Sequence, residues 1–193
     1  PEATESFQEG ILIPPVKLFK EGNLNQDIVN ILSANSRLPN SLYGDLNGQI
    51  NALDLGEERL HSLLDEYTEE KITNALKELR ERAEKMMRQH IGSLPNETIS
   101  VEDYLDNDGV TDDPLTLAID LTIKGDKMTI DFSRSSSACA GPVNISKSTT
   151  IAATYVALKH IFIDVPANAG VLKPVEFIIP EDSFLNVRAP KPV

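Results

Sequence analysis

The 193 residues carry 30 Asp and Glu against 18 Lys and Arg, a formal net charge of −12. That balance argues against a nucleic-acid surface, which needs clustered Lys and Arg, and against docking on an anionic membrane. Apolar residues at 40% and charged residues at 25% are globular values, sufficient for one domain with a core or two small ones.

The lone cysteine, Cys139, cannot close an internal disulfide, so a reducing, cytoplasmic setting is expected. No apolar run approaches the roughly 20 residues of a membrane span. The chain opens on Pro1 and stops within Ala-Pro-Lys-Pro-Val193, so an excised internal piece is expected.

In chain order, residues 1–22 form an extended arm. Ile11-Leu-Ile-Pro-Pro-Val-Lys-Leu-Phe19 holds consecutive prolines, which forbid a helix, and its apolar content calls for a groove of its own or of a neighbouring domain. Residues 23–95 form a helical region. A short helix from Asn25 is expected, with Ile28, Leu32 and Val29 on its buried side. A longer one follows Pro39, with Leu42, Leu46, Ile50 and Leu53 on one face; Gly44, Gly48 and Gly56 each weaken it by roughly 1 kcal/mol relative to Ala. Thr68 caps the next helix, whose first turn holds Glu69 and Glu70 where the helix dipole favours negative charge. Ile72, Leu76, Leu79, Ala83 and Met86 mark its apolar face, and Gly92 and Pro95 end it. The two long helices are expected to form an antiparallel hairpin.

Residues 96–193 form an α+β region. Ile99 and Val101 alternate as a strand, and the acidic run Glu102–Asp113 reads as a solvated loop. Asp106-Asn-Asp-Gly109 fails the calcium-loop pattern, because Tyr104 and Leu115 fall at ligand positions. Leu115, Leu117, Ile119, Leu121 and Ile123 alternate strictly, Gly125-Asp126 turns, and Met128, Ile130 and Phe132 alternate back. This register sets Asp120 opposite Asp131. Such a pair either binds a cation or points into water, and the second reading makes Asp120→Asn neutral or slightly stabilising.

The stretch Asp131–Asn144 then runs from strand end through a serine-rich loop to a helix starting near Ser146. Ile151, Tyr155, Leu158 and Phe162 mark that helix, which is expected to be mostly buried. The stretch reads either as a surface connection or as a pocket in which helix-start amides meet an anion. Cys139, near Arg134, reads as inert, and His160, four residues before Asp164, as a helix-end dipole partner. Strands at Val171–Ile179 and Phe184–Arg188 complete the chain. The expected fold is α+β: an N-terminal helical hairpin, then a mainly antiparallel sheet with one buried helix.

A set of short motifs, in order, carries a resemblance: Gln8-Glu-Gly-Ile-Leu-Ile-Pro-Pro-Val-Lys-Leu-Phe, Gly44-Asp-Leu, Glu102-Asp-Tyr-Leu-Asp106, Asp131-Phe-Ser, Gly141-Pro-Val-Asn144, Asn168-Ala-Gly170 and Leu185-Asn186. Together they resemble the hydantoinase B/oxoprolinase family, over nearly the whole chain. The resemblance implies ATP-dependent ring-opening hydrolysis of a small cyclic amide, with ATP used by an A-type partner subunit or domain. The alternatives are the carboxylase branch of the family, ATP-dependent ketone carboxylation, and a non-catalytic assembly or interaction domain. The resemblance implies substrate- or anion-binding roles for Arg134, Gly141, Asn144, Ser146 and Asn168.

No metal set is expected within these residues beyond the weak pair Asp120 and Asp131. A divalent metal would come from segments outside the chain, where the family's His-x-x-Asp stretch is expected. Arg134 stands where the family pattern has glycine, and Lys173 where it has arginine. As members are much longer, this stretch alone is expected to be inactive.

Overall fold

The computed structural model describes residues 3–193. Pro1 and Glu2, the first residues of the expected arm, lie outside the described residues. The chain divides into two compact units: Ile11–Asn74, and Ala75–Val193 together with the residues up to Gly10. A single helical turn, α1 (Ser6–Glu9), opens the described chain.

In the unit Ile11–Asn74, the Pro14-Pro15 passage is irregular, as the prolines require. Ile11, Leu12, Val16 and Phe19 are exposed. The arm ends in a small hairpin, β1 (Phe19–Lys20) against β2 (Asn23–Leu24). Its turn residues Glu21 and Gly22 both have positive φ, 54° and 78°, the geometry of a two-residue hairpin turn.

Helix α2 (Gln26–Ala34) buries Val29. Helix α3 runs unbroken from Pro39 to Glu66 with Pro at its start, where a missing N–H costs nothing. An added Cβ at Gly44, Gly48 or Gly56 would meet nothing within 4 Å, so these glycines mark no close helix packing. Helix α4 (Glu69–Gly92) follows, and the division between units falls within it. Thr68 Oγ1 accepts from the Lys71 amide at 3.4 Å, as the expected cap requires.

In the other unit, Ala83, Met87 and Ile91 of α4 are fully buried, whereas Leu76 and Leu79 are exposed. The buried stripe is therefore an i, i+4 row shifted from the expected Ile72–Met86 face, and it packs only over the last turns. The sheet comprises β3 (Thr98–Leu105), β4 (Leu115–Lys124), β5 (Lys127–Asp131) and β6 (Val175–Ile178), in that spatial order. The hairpin register is the one alternation dictates: Lys124 faces Lys127, Ile123 faces Met128, Leu121 faces Ile130 and Asp120 faces Asp131. Strand β6 joins in parallel after the crossover helix α5 (Lys147–Ile161), giving an α+β fold with a mixed sheet.

Two late elements differ from expectation. Val171 and Lys173 are held in turns by the carbonyls of Asn168 and Gly170, which shortens the expected strand to Val175–Ile178. Residues 183–187 form no strand. They bridge the serine loop instead: Phe184 N–H donates to the Ser136 carbonyl, and Ser183 pairs with Ser137. Within α5 only Thr150 and Leu158 are buried, and Val156 and Ile161 are exposed, so burial of this helix is one-sided.

Candidate functional site

Strand β5 delivers the chain at Asp131, whose carboxylate caps the Ser133 amide at 2.7 Å. Arg134 then turns back across the sheet. Its Nε and Nη2 each donate to Asp120 at 2.9 Å, and its Nη1 donates to Glu102. The expected register of Asp120 opposite Asp131 therefore holds, but Asp120 does not simply face water. A two-toothed guanidinium contact neutralises it, and that contact holds the Asp120 and Glu102 carboxyls below their ordinary range. The Arg134 donors expected for a substrate anion are engaged by the protein's own carboxylates.

The loop beyond Arg134 is organised by a residue that sequence pattern alone leaves in solvent. Asp108 is 1% exposed. Its Oδ1 accepts from the amides of Val110 and Thr111 at 2.8 and 2.6 Å, and from Thr111 Oγ1. Its Oδ2 accepts from the amides of Ala140 and Gly141 at 3.0 and 2.8 Å. Amide donors stabilise the charged form, so the Asp108 carboxyl is held far below the usual carboxylate range. An anion receptor exists at the expected turn, and its occupant is internal. A Cβ on Gly141 would lie 1.8 Å from the Asp108 carbonyl oxygen, so only glycine permits this approach.

Asn144 is equally committed. Buried to 1% exposure, it accepts from the Cys139 amide at 2.9 Å. Its Nδ2 points at the carbonyls of Cys139, Gly141 and Pro192, at 3.2, 3.0 and 3.0 Å. The side chain thus staples the loop to itself and to the C-terminal segment. Burial, then the charge of Asp108, pushes the Cys139 thiol up, away from the reactive thiolate, in keeping with its reading as inert.

Ser146 is the N-cap of α5, its Oγ accepting from the Thr149 amide at 3.3 Å. The next amide back, that of Ile145, donates to the Phe184 carbonyl at 2.7 Å. Asn168 lies apart from this loop. Its Nδ2 donates to the Leu79 carbonyl of α4 at 3.2 Å, and its Oδ1 accepts from the Gly170 amide at 2.8 Å. A Cβ on Gly170 would fall 2.1 Å from the Arg80 carbonyl oxygen. Asn168 and Gly170 thus form one joint, pressing the 166–170 turn onto the α4 backbone. His160 bonds the Val156 carbonyl of its own helix, while Asp164 meets His90 at 2.9 Å.

Among the described residues, no group of three or more His, Cys, Asp or Glu is gathered to hold a metal ion. No helix among them is long and apolar enough to cross a membrane.

The family model for hydantoinase B/oxoprolinase matches residues 1–193. The chain belongs to the hydantoinase B/oxoprolinase family. It is similar to the B component of a putative D-/L-hydantoinase from Pseudomonas sp. (strain NS671), 30% identical over 203 residues, covering 99% of this chain and 34% of that protein. Among solved structures it resembles the ATP-dependent caprolactamase of Pseudomonas jessenii, with a TM-score of 0.87 and 29% identity, covering 97% of this chain and 33% of that one. An acetone carboxylase structure shares the fold at a TM-score of 0.90 but only 16% identity, covering 100% of this chain and 27% of that one. The chain spans about a third of the length of the curated relatives it matches.

Within the hydantoinase B/oxoprolinase motifs of this chain, three are joints of the fold. Asp131-Phe-Ser leads into the Arg134 tie, Gly141-Pro-Val-Asn144 seats Asp108, and Asn168-Ala-Gly170 clamps α4. Asp108 is not singled out by sequence pattern because an Asp in an acidic, Gly-containing run is ordinarily solvated. Its one local signal is Asp-Gly-Val-Thr111, which suits a carboxylate folding back onto amides two and three residues on.

Proposed function

We propose that this chain is part of a hydantoinase/oxoprolinase-type subunit that opens a small cyclic amide by ATP-dependent hydrolysis, working with an A-type, ATP-using partner. The observation that supports it is the match over the whole chain, with about 30% identity to a hydantoinase-type subunit and 29% to an ATP-dependent caprolactamase. The carboxylase relatives stand further off, at 16% and 23% identity.

In this reading the partner uses ATP to phosphorylate the amide oxygen, which turns a poor electrophile into an activated carbon. Water adds there and the ring C–N bond breaks, the nitrogen leaving protonated; a second water hydrolyses the acyl phosphate so formed, giving the carboxylate and inorganic phosphate. Stabilising the developing anion calls for preorganised donors. The donors of Arg134, Gly141 and Asn144 are engaged internally, so these residues act by holding the loop. Reacting groups, and any divalent metal, come from outside residues 1–193.

That same engagement favours a second reading, in which this region serves assembly and touches no substrate. The full-length pair of subunits, supplied with ATP and hydantoin, 5-oxoproline or caprolactam, tests the main proposal. Ring opening strictly coupled to ADP formation is expected. ATP turnover that depends only on a ketone and bicarbonate would overturn it.

A further inference from the structure

Burial falls off steeply across the sheet. Met128 and Ile130 of β5 are 3% and 4% exposed, Ile119 and Leu121 of β4 are half-buried, and Ile99 and Val101 of β3 are 46% and 52% exposed. All six side chains point to the same face by register. They floor a trough of about 570 Å³ whose far wall is α5. Layer geometry accounts for the opening. Four strands span about 19 Å, whereas α5, about 10 Å wide, and the last turns of α4 share their core with β5 and β6, so the β3–β4 half of the apolar sheet face is left bare.

The lining chooses among occupants. Its two hydroxyls, on Thr150 and Thr154, already donate to the carbonyls of Leu185 and Thr150, at 2.6 and 2.9 Å. No charged side chain lines it, so it offers nothing to orient a cyclic amide or a phosphate. The wall presents Ala153 and Ala157, four residues apart, which let another helix approach α5 closely, and Ile161, 70% exposed, closes one end of that row. A strand would add to the β3 edge without filling the trough, and that edge carries Glu102 and Asp103. Two copies of a chain at −12 repel one another.

From this we infer that the trough between β3–β4 and α5 is the docking site for an amphipathic helix of the same polypeptide, one lying outside residues 1–193. The relatives, about three times as long as this chain, have the length to supply it. The inference rests on membership of the family and is independent of which reaction the family member performs.

The test places the photo-reactive residue benzoylphenylalanine at Ile161 in the full-length protein assembled with its ATP-using partner, and maps the cross-linked peptides by mass spectrometry. The dominant product should join residue 161 to a helical segment of the same polypeptide outside 1–193. Dominant cross-links to a second copy or to another protein of the assembly, or no cross-link at all, would overturn the inference. A Val101→Cys variant gives an independent reading. Its thiol should react with a charged maleimide at least ~10-fold more slowly in the native protein than in denaturant; equal rates would likewise overturn the inference. Neither reading depends on turnover.

Discussion

The Asp108 carboxylate lies 2.8 Å from the Gly141 amide nitrogen, across 33 positions of sequence, and the Gly141 Cα passes so close to the Asp108 backbone that no side chain fits between them. The two residues hold each other: one supplies the charge, the other the access. Because the folded carboxyl titrates far below its unfolded value of about 3.9, its stabilisation is present above that pH and is lost as pH falls through the folded value. Asp108→Asn keeps one acceptor and turns an N–H₂ towards amides that themselves donate. We expect its Tm at pH 7 to fall on the order of 5 °C. The gap to the wild type should shrink as the pH is lowered below about 4; thermal melts at several pH values check both.

Asn144→Ala strands the Cys139 amide and removes the donor serving three carbonyls at a fully buried site. The expected cost is about 2–4 kcal/mol. Chemical denaturation measures it, and a loss below about 0.5 kcal/mol, the scale of an ordinary surface substitution, would mean that the staple is dispensable.

Glycines in this chain divide into two kinds, with opposite expected outcomes. Gly170→Ala drives a methyl into the α4 backbone at Arg80 and should destabilise by about 1–3 kcal/mol. Gly48→Ala in α3 adds a methyl to open space and should stabilise by about 0.5–1 kcal/mol through helix propensity. Measured together, the pair controls for the chemistry of the substitution.

The Asp120–Arg134 contact changes the sign expected of Asp120→Asn. Two opposed carboxylates in water would make the change neutral or favourable, but the guanidinium loses its paired acceptor. Tm should drop by roughly 1–3 °C at low salt, and the drop should narrow in about 1 M salt because the pair is partly exposed.

The hairpin register from Lys124–Lys127 to Asp120–Asp131 was legible from alternation alone, since a two-residue turn leaves one register that completes the apolar face; the expected Ile119–Phe132 pair lies beyond the end of β5. Helix α5 was legible through Ser146 and its spacing. Long-range polar ties were not. Asp108 reads as solvent-facing until the loop 32 residues on returns its amides, and Arg134 reads as free until Glu102 and Asp120 come alongside. The fate of 183–187 depended likewise on a partner, the serine loop, that is no strand. In three of the family motifs, what the structure shows is polar ties within the chain.

The most direct measurement is a phosphate titration of the protein carrying ¹⁵N-labelled alanine and glycine, following the amide resonances of Ala140 and Gly141. With Asp108 seated on both amides, neither resonance should move up to tens of millimolar phosphate, and both should move in Asp108→Ala. Saturable shifts of those two amides in the unaltered protein would contradict the account.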